Sequence, residues 1–508
     1  MSFEKNLAKL KAKPDIIIII TDQQRATQHF PVGWEQENLH SLTFLKRHGF
    51  SFDRAFCNTC MCSPSRATIF TGVYPAEHQV TQTLTWGGRY SPAEVTLDPT
   101  FFNLPRMLQP EGYDVQFRGK WHLSKGETED GLTASDVAIF GFRGWIPPDA
   151  GEDTKPENFG GGFANHDAEY VRQGIEYLKE VKKRREKGDL RPYCLVLSLV
   201  NPHDVLFYPN GVEYGYLPWT YSGREISLPA TVNENLILNK KPVSQEFIKL
   251  GAVSLLGPLP TDEDKLNYIN FYAHTLKLVD NEISFFLNEL YSEGAGGKKL
   301  ADDAIVFRTS DHGEMGMAHG GMRQKAFNAY EETIRIPLVI SNPLLFPGEG
   351  KPQLSMRLAT LIDIMPTIAE IVGVKSDETS AFKGVSLLPV IKDDQPVQKE
   401  VLFTFDDTKA GSPNVPSAVP SANRVRSIRT EEWKYAYYFD ALGSYANQFE
   451  LYNLIDDPTE YTNLAYDPAY KAKREEMAQR LEELEREKLL IRDNIIDESR
   501  FWNWYNNQ

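Results

Sequence analysis

The sequence predicts an α/β protein, with one large layered domain over residues 1–385 and a smaller α+β subdomain over residues 386–508. Three observations carry this. Short apolar runs stop abruptly at acid, amide or imidazole residues, helical patterns alternate with those runs, and the character of the chain changes near residue 385. A chain of 508 residues can bury a large core without covalent staples. Its 41% hydrophobic and 12% aromatic content excludes bulk disorder, and 35 glycines with 31 prolines exclude a collagen-like or low-complexity chain. The net charge of −15 argues against a nucleic-acid partner, because phosphate backbones call for clustered Lys and Arg.

The first element is the isoleucine run at 16–20, which follows Pro14-Asp15. It reads as a parallel strand buried on both faces and stops at Thr21-Asp22-Gln23-Gln24-Arg25. Residues 193–200 read the same way and end in Asn201-Pro202-His203-Asp204. Residues 304–307 lead to Thr309-Ser310-Asp311-His312-Gly313, and 337–340 form another core strand. In open α/β sheets chemistry sits beyond the carboxyl ends of the strands, so three such endings mark a site.

Between the strands, Tyr170, Val171, Gly174, Ile175, Leu178 and Val181 share a helical face behind a cap at Asp167. Residues 268–290 predict a longer helix, and 361–372 another that Pro366 kinks or breaks. Two segments predict irregular insertions: 141–167, with its Gly160-Gly161-Gly162, and 205–260, rich in Pro, Tyr and Asn. Long loops of this kind serve as lids, binding loops or oligomer contacts. Past residue 385, the runs 401–405, 425–429 and 433–439 are strand-like, and 410–422 is a Pro/Ser/Ala-rich loop. Residues 471–490 form a charged helix with Met477, Leu481 and Leu484 on one stripe. The aromatic tail Phe501-Trp502-Asn503-Trp504-Tyr505 predicts docking, on its own domain or on a neighbouring subunit of a homo-oligomer.

The first apolar run is too short for a signal segment, and no stretch approaches the ~18 apolar residues of a membrane span. The expectation is a soluble, cytoplasmic protein with no membrane partner. Its four cysteines are Cys57, Cys60, Cys62 and Cys194. A zinc knuckle lacks the second ligand pair it needs, and a reducing compartment disfavours a disulfide.

Cys62-Ser63-Pro64-Ser65-Arg66, followed by Thr71-Gly72-Val73-Tyr74-Pro75, is the sharpest motif. Here the chain resembles the sulfatases of the alkaline phosphatase superfamily, whose C-x-P-S-R signature directs oxidation of the cysteine to formylglycine (3-oxoalanine). The resemblance continues in order through Gly119-Lys120-Trp121-His122-Leu123, Asn201-Pro202-His203 and Ser310-Asp311-His312-Gly313-Glu314. It then runs through His319-Gly320, Lys325, Tyr330-Glu331 and Arg335-Ile336-Pro337 to Glu450-Leu451-Tyr452-Asn453-Leu454 and Asp457-Pro458-Thr459-Glu460. It implies a large mixed sheet sandwiched by helices, as in alkaline phosphatase. It also implies maturation by a formylglycine-generating enzyme, and hydrolysis of a small sulfate ester through a geminal diol that attacks sulfur, releases the alcohol and then expels sulfate.

The same resemblance implies one divalent ion held by Asp22, Gln23, Cys62 (as formylglycine), Asp311 and His312. Asp22-Gln23 stands where the common sulfatase pattern has Asp-Asp, and Asp311-His312 where it has Asp-Asn. Both pairs look more like phosphonate monoester hydrolases and choline sulfatases. An amide for a carboxylate, plus an imidazole, lowers and softens the site's charge, shifting the expected ion from Ca2+ toward Mn2+. Arg66 and Lys120 are implied to hold the formylglycine and its oxyanion, and Lys325 the sulfuryl oxygens. His122 is implied as the base for the second hydroxyl, and His203 as the group that protonates the leaving alkoxide. Lys120, His203 and Lys325 are thus the expected substrate contacts.

Two other readings compete. A phosphonate monoester or phosphodiester hydrolase would use the same machinery. A noncatalytic or redox protein built on Cys57, Cys60 and Cys62 leaves Pro64-Ser65-Arg66 and the polar strand endings unexplained. Asp280 and Asp363 read as caps or structural pairs, Trp121 as packing, and Glu460 as a tie between the two domains.

Overall fold

The computed structural model describes residues 10–85, 93–126, 131–150, 166–210, 215–220, 222–349, 351–375, 380–412 and 415–489. Seven strands form the main sheet: β1 (Asp15–Asp22), β2 (Gly49–Phe56), β3 (Asp114–Gly119), β4 (Tyr193–Pro202), β5 (Ala304–Ser310), β6 (Leu338–Ser341) and β7 (Gln353–Thr360), in the order β3-β4-β1-β5-β6-β2-β7. The pairs β3/β4, β4/β1, β1/β5 and β2/β7 are parallel. β6 runs antiparallel to both β5 and β2, so the sheet is mixed.

β1 shows why an unbroken isoleucine run suits the centre of such a sheet. Ile16, Ile18 and Ile20 face one core with Phe117, Val196 and Phe307, and Ile17 and Ile19 face the other with Leu178, Tyr272 and Val279. Five buried β-branched side chains contribute roughly 10 kcal/mol of transfer free energy before the cost of ordering the chain.

The helices of eight or more residues among the described residues are α1 (His40–Arg47), α2 (Cys62–Thr71), α3 (His166–Glu186), α4 (Val243–Leu256), α5 (Asp262–Tyr291), α6 (Ile364–Val372) and α7 (Lys471–Leu489). α5 starts in a capping box of Thr261 and Asp264 and packs Tyr272, Val279, Ile283 and Phe286 under the sheet. Its Asp280 accepts from the Ser41 and Leu42 N–H groups at 2.8 and 3.0 Å, capping α1, in line with the structural role expected of it. Asp363 likewise accepts from Thr360 and Val385.

A second, antiparallel sheet of order β11-β10-β9-β8 comprises β8 (Val401–Phe405), β9 (Arg424–Arg429), β10 (Trp433–Phe439) and β11 (Gln448–Asn453). One face adds Phe403, Phe405, Val425 and Tyr438 to the core of the large sheet. The other packs Leu402, Ile428, Tyr435 and Leu451 against Met477, Leu481 and Leu484 of α7. Buried ion pairs tie the small sheet to the helical turn that precedes β6: Lys434 Nζ of β10 lies 2.9 Å from Glu331, in that turn, and 2.8 Å from Glu460, whose carboxylate also takes the Glu331 N–H.

Several expectations change. Pro366 neither kinks nor breaks α6, because it falls in the first turn, where its missing N–H costs nothing; a 3-10 turn at Leu361–Asp363 precedes it. Asp167 lies inside the first turn of α3 and accepts instead from Val200 and Asn201 at the end of β4. Region 205–260 is not wholly irregular. α4 buries Ser244 and Gln245 and exposes Leu250, Val253 and Leu255, which inverts the polarity that helical periodicity relies on. Most of the 141–167 insertion, from 151 to 165, and the tail at 501–505 lie outside the described residues.

Candidate active site

Three strand ends and one helix start build the site. β1 ends at Asp22, β4 at Pro202 with His203 next, and β5 at Ser310 with Asp311 and His312 next. The register sets Thr21 beside Ser310 and Asp22 beside Pro202, which brings Asp22, His203 and Asp311 to one edge of the sheet. α2 opens with Cys62 and is buried along its whole length, so its N-terminal dipole favours negative charge there. β3 ends at Gly119 (φ 97°), where a Cβ would sit 1.8 Å from the Ser198 carbonyl oxygen. That close approach lets the next residue, Lys120, donate its N–H to Ser198 O at 2.9 Å and enter the site.

Donor atoms of Asp22, Cys62, Asp311 and His312 all lie within 4.8 Å of one another, and all four residues are buried. Cys62 Sγ is 3.5 Å from Asp22 Oδ1 and 3.2 Å from His312 Nε2. His312 Nδ1 lies 3.1 Å from the Gly313 carbonyl, an acceptor, so Nδ1 carries the proton and Nε2 turns its lone pair to the cluster. Asp311 Oδ1 is fixed by the N–H groups of Gln23 and His312, at 3.1 and 2.9 Å. Two carboxylates, an imidazole lone pair and a fourth ligand atom suit a divalent cation of borderline character.

Cations surround this cluster. Arg66 reaches Asp311 through Nε (3.0 Å) and Asp22 through Nη2 (3.1 Å), while Nη1 meets the Lys120 carbonyl (3.0 Å) and Ser198 Oγ (2.5 Å). Lys120 Nζ is 2.6 Å from Asp22, and Lys325 Nζ donates to Gln23 Oε1 at 2.5 Å. Burial and Cys62 push the Asp22 pKa up, but Lys120, His203 and Arg66 outweigh them and hold it well below the usual carboxylate range. Burial and the charge of Asp22 push Asp311 up. Burial opposes the Cys62 thiolate, yet Lys120 and then Lys325 lead the charges that hold its pKa well below that of a free thiol.

His122 takes a left-handed backbone (φ 54°), held because Asp149 accepts the Trp121 and His122 N–H groups, both at 2.8 Å. Its Nε2 donates to the Leu84 carbonyl at 2.8 Å, which leaves Nδ1 as the nitrogen able to accept a proton, and the ring lies against Cys62. His203 also interacts with Cys62, and burial with Lys120 keeps its own pKa low. The other nine expected site residues therefore gather around Cys62, directly or through one another. Sequence reasoning gave no role to Ser198, Asp149 or Gln324. Asp149 sits in an aperiodic insertion, and Ser198 looks like any small residue of a buried strand.

A buried thiol, two carboxylates and three cations at the strand ends of a mixed α/β sheet define a hydrolase for tetrahedral oxyanion esters. The family profile described as Sulfatase matches residues 14–374, so the chain belongs to the sulfatase family; a second profile, N-sulphoglucosamine sulphohydrolase, C-terminal, matches 319–487. The choline-sulfatase of Rhizobium meliloti is 26% identical over 478 residues, covering 90% of this chain and 83% of that protein. Among solved structures, a 2-O GAG sulfatase has a TM-score of 0.71 at 21% identity, covering 98% of this chain and 94% of that one. The phosphonate monoester hydrolase of Agrobacterium radiobacter has a TM-score of 0.63 at 21% identity, covering 94% and 96%. The fold is that of the alkaline phosphatase-like sulfatases, and the protein is an enzyme of the sulfuric ester hydrolase class.

Proposed function

We propose that this enzyme hydrolyses a small organic sulfate ester through a formylglycine formed at Cys62 by a formylglycine-generating enzyme, with a divalent ion, Mn2+ ahead of Ca2+, held by Asp22, Gln23, Asp311 and His312. The observation that carries it is the buried contact of Cys62 with both Asp22 and His312 under three cations. When present, the hydrated aldehyde supplies the attacking oxygen and the ion polarises it.

The chain's own residues do the rest. Arg66 and Lys120 fix Asp22, and with Lys325 they set positive charge against the sulfuryl oxygens. His122 Nδ1 accepts a proton beside residue 62, and His203, on the same residue, donates to the leaving oxygen. Peptide mass spectrometry should show Cys62 lighter by about 18 Da, the thiol-to-aldehyde change. Full alkylation of Cys62 in active protein would refute the proposal.

The Asp22-Gln23 and Asp311-His312 pairs, which resemble those of choline sulfatases and phosphonate monoester hydrolases alike, admit a second reading, a phosphonate monoester or phosphodiester hydrolase. Parallel kcat/KM values for an aryl sulfate and a phenyl phosphonate ester rank the two. The acidic chain and its small, buried cluster support a small-molecule partner over nucleic acid.

A further inference from the structure

Gln23 is an unusual choice beside a cation site, because an amide works there only if its oxygen faces inward. Lys325 Nζ, which can only donate, sits on one side of the Gln23 amide at 2.5 Å, so the atom facing it is Oε1. The Glu314 carboxylate, which can only accept, bonds the other side and fixes that atom as Nε2. Glu314 is fully buried, and its second oxygen is already filled. Oε1 accepts from the Tyr268 hydroxyl at 2.6 Å, the Gln324 N–H at 3.0 Å and the Gly316 N–H at 3.2 Å. Two of those donors are backbone groups that cannot turn round. The carboxylate therefore has one oxygen to spare, and it is aimed at Gln23.

We propose that Glu314 is a positioning residue that sets which way the Gln23 amide faces, so that Gln23 offers a carbonyl oxygen, and not an NH2 group, to Lys325 and the cation cluster. The inference rests on the metal-site reading above. It assigns a role in that site to a side chain three residues beyond Asp311, which acts only through Gln23. It also explains how an amide can replace a carboxylate at position 23. The negative charge has moved one residue outward, to Glu314, and a hydrogen bond returns its polarity to the site.

The proposal makes Glu314→Gln more damaging than its shape suggests. The new NH2 group cannot face Tyr268 and the two N–H groups, so it must face Gln23. That turns the Gln23 amide over and sets its NH2 against the Lys325 ammonium and the cation. A reciprocal exchange repairs the pair. With Gln23→Glu and Glu314→Gln together, the amide at 314 donates to the carboxylate at 23, whose other oxygen accepts from Lys325.

The test is calorimetric titration of Mn2+ into the chelator-stripped full-length enzyme, its two single variants and the double variant, with thermal melts to check folding and aryl sulfate turnover as a second readout. Glu314→Gln should weaken Mn2+ binding by about 10–100-fold, the usual effect of losing an outer partner of a ligand. The double variant should bind at least as tightly as the wild type. Unchanged Mn2+ affinity in Glu314→Gln overturns the proposal. So does a double variant that fails to fold, or that binds no better than Glu314→Gln. Should Glu314→Gln itself not fold, binding by the double variant decides. Asp311→Ala separates the two levels. If that variant binds Mn2+ normally, the metal-site reading falls; if it loses Mn2+ while Glu314→Gln keeps it, only the role of Glu314 falls.

Discussion

Arg66→Met should strand Asp311, and the size of the loss follows from the contacts. The guanidinium is fully buried and makes four polar contacts, two of them to carboxylates. Methionine keeps much of the volume, so the loss is electrostatic. Asp22 retains Lys120 at 2.6 Å, whereas Asp311 retains the two N–H groups on its other oxygen. Removing one partner of a buried ion pair costs about 3–5 kcal/mol. In an Asp311→Asn background the same change should cost roughly 2 kcal/mol less, because no charge is then stranded. Urea unfolding of chelator-treated protein, followed by tryptophan fluorescence, measures all four corners of the cycle.

The pH dependence has a definite sign. Burial already raises the Asp311 pKa, and loss of Arg66 raises it further. Below that folded value the carboxyl is neutral and the variant suffers little; as pH rises through it, the penalty grows. The destabilisation should be larger at pH 8 than at pH 5. Equal losses in both backgrounds, within about 0.5 kcal/mol, would refute the bracing role.

Three further outcomes are expected. In protein made without the maturation enzyme, Lys120→Met should raise the Cys62 pKa, read as ultraviolet thiolate absorbance against pH, because Lys120 is the leading cation acting on that thiol. Burial opposes a charged His166, but Asp204 at 3.3 Å raises its pKa, so this pair stabilises the fold below pH about 6.5 and loses that contribution as pH rises through the raised value; Asp204→Asn should flatten denaturation midpoints between pH 6 and 8.5. Chelation should abolish turnover, and Mn2+ at 100 times its Kd should restore it and add about 2.7 kcal/mol of stability, a gain that Asp311→Ala should lack.

Much of the site was legible because its parts sit at strand ends that sequence marks sharply. An apolar run broken by Asp22, His203 or Asp311 advertises both the strand and its functional end. β2 and β3 went unread because Asp53 and Arg54, or Gln116 and Arg118, interrupt their apolar pattern. β7 leaves Leu354 and Met356 exposed, which also hides it. α4 escaped for the opposite reason, since its polar residues face inward. Glu314 stood in a quoted motif, yet its role depends on Tyr268 and Gln23, which only folding brings beside it.

The way the small sheet shares the core of the large one has a practical consequence. Phe403, Phe405 and Tyr438 do not dock on a finished surface; they complete it. A gene shortened near codon 385 would leave a greasy trough where those rings belong, along with the Glu331 carboxylate stripped of Arg429 and Lys434. Such a fragment should aggregate during expression.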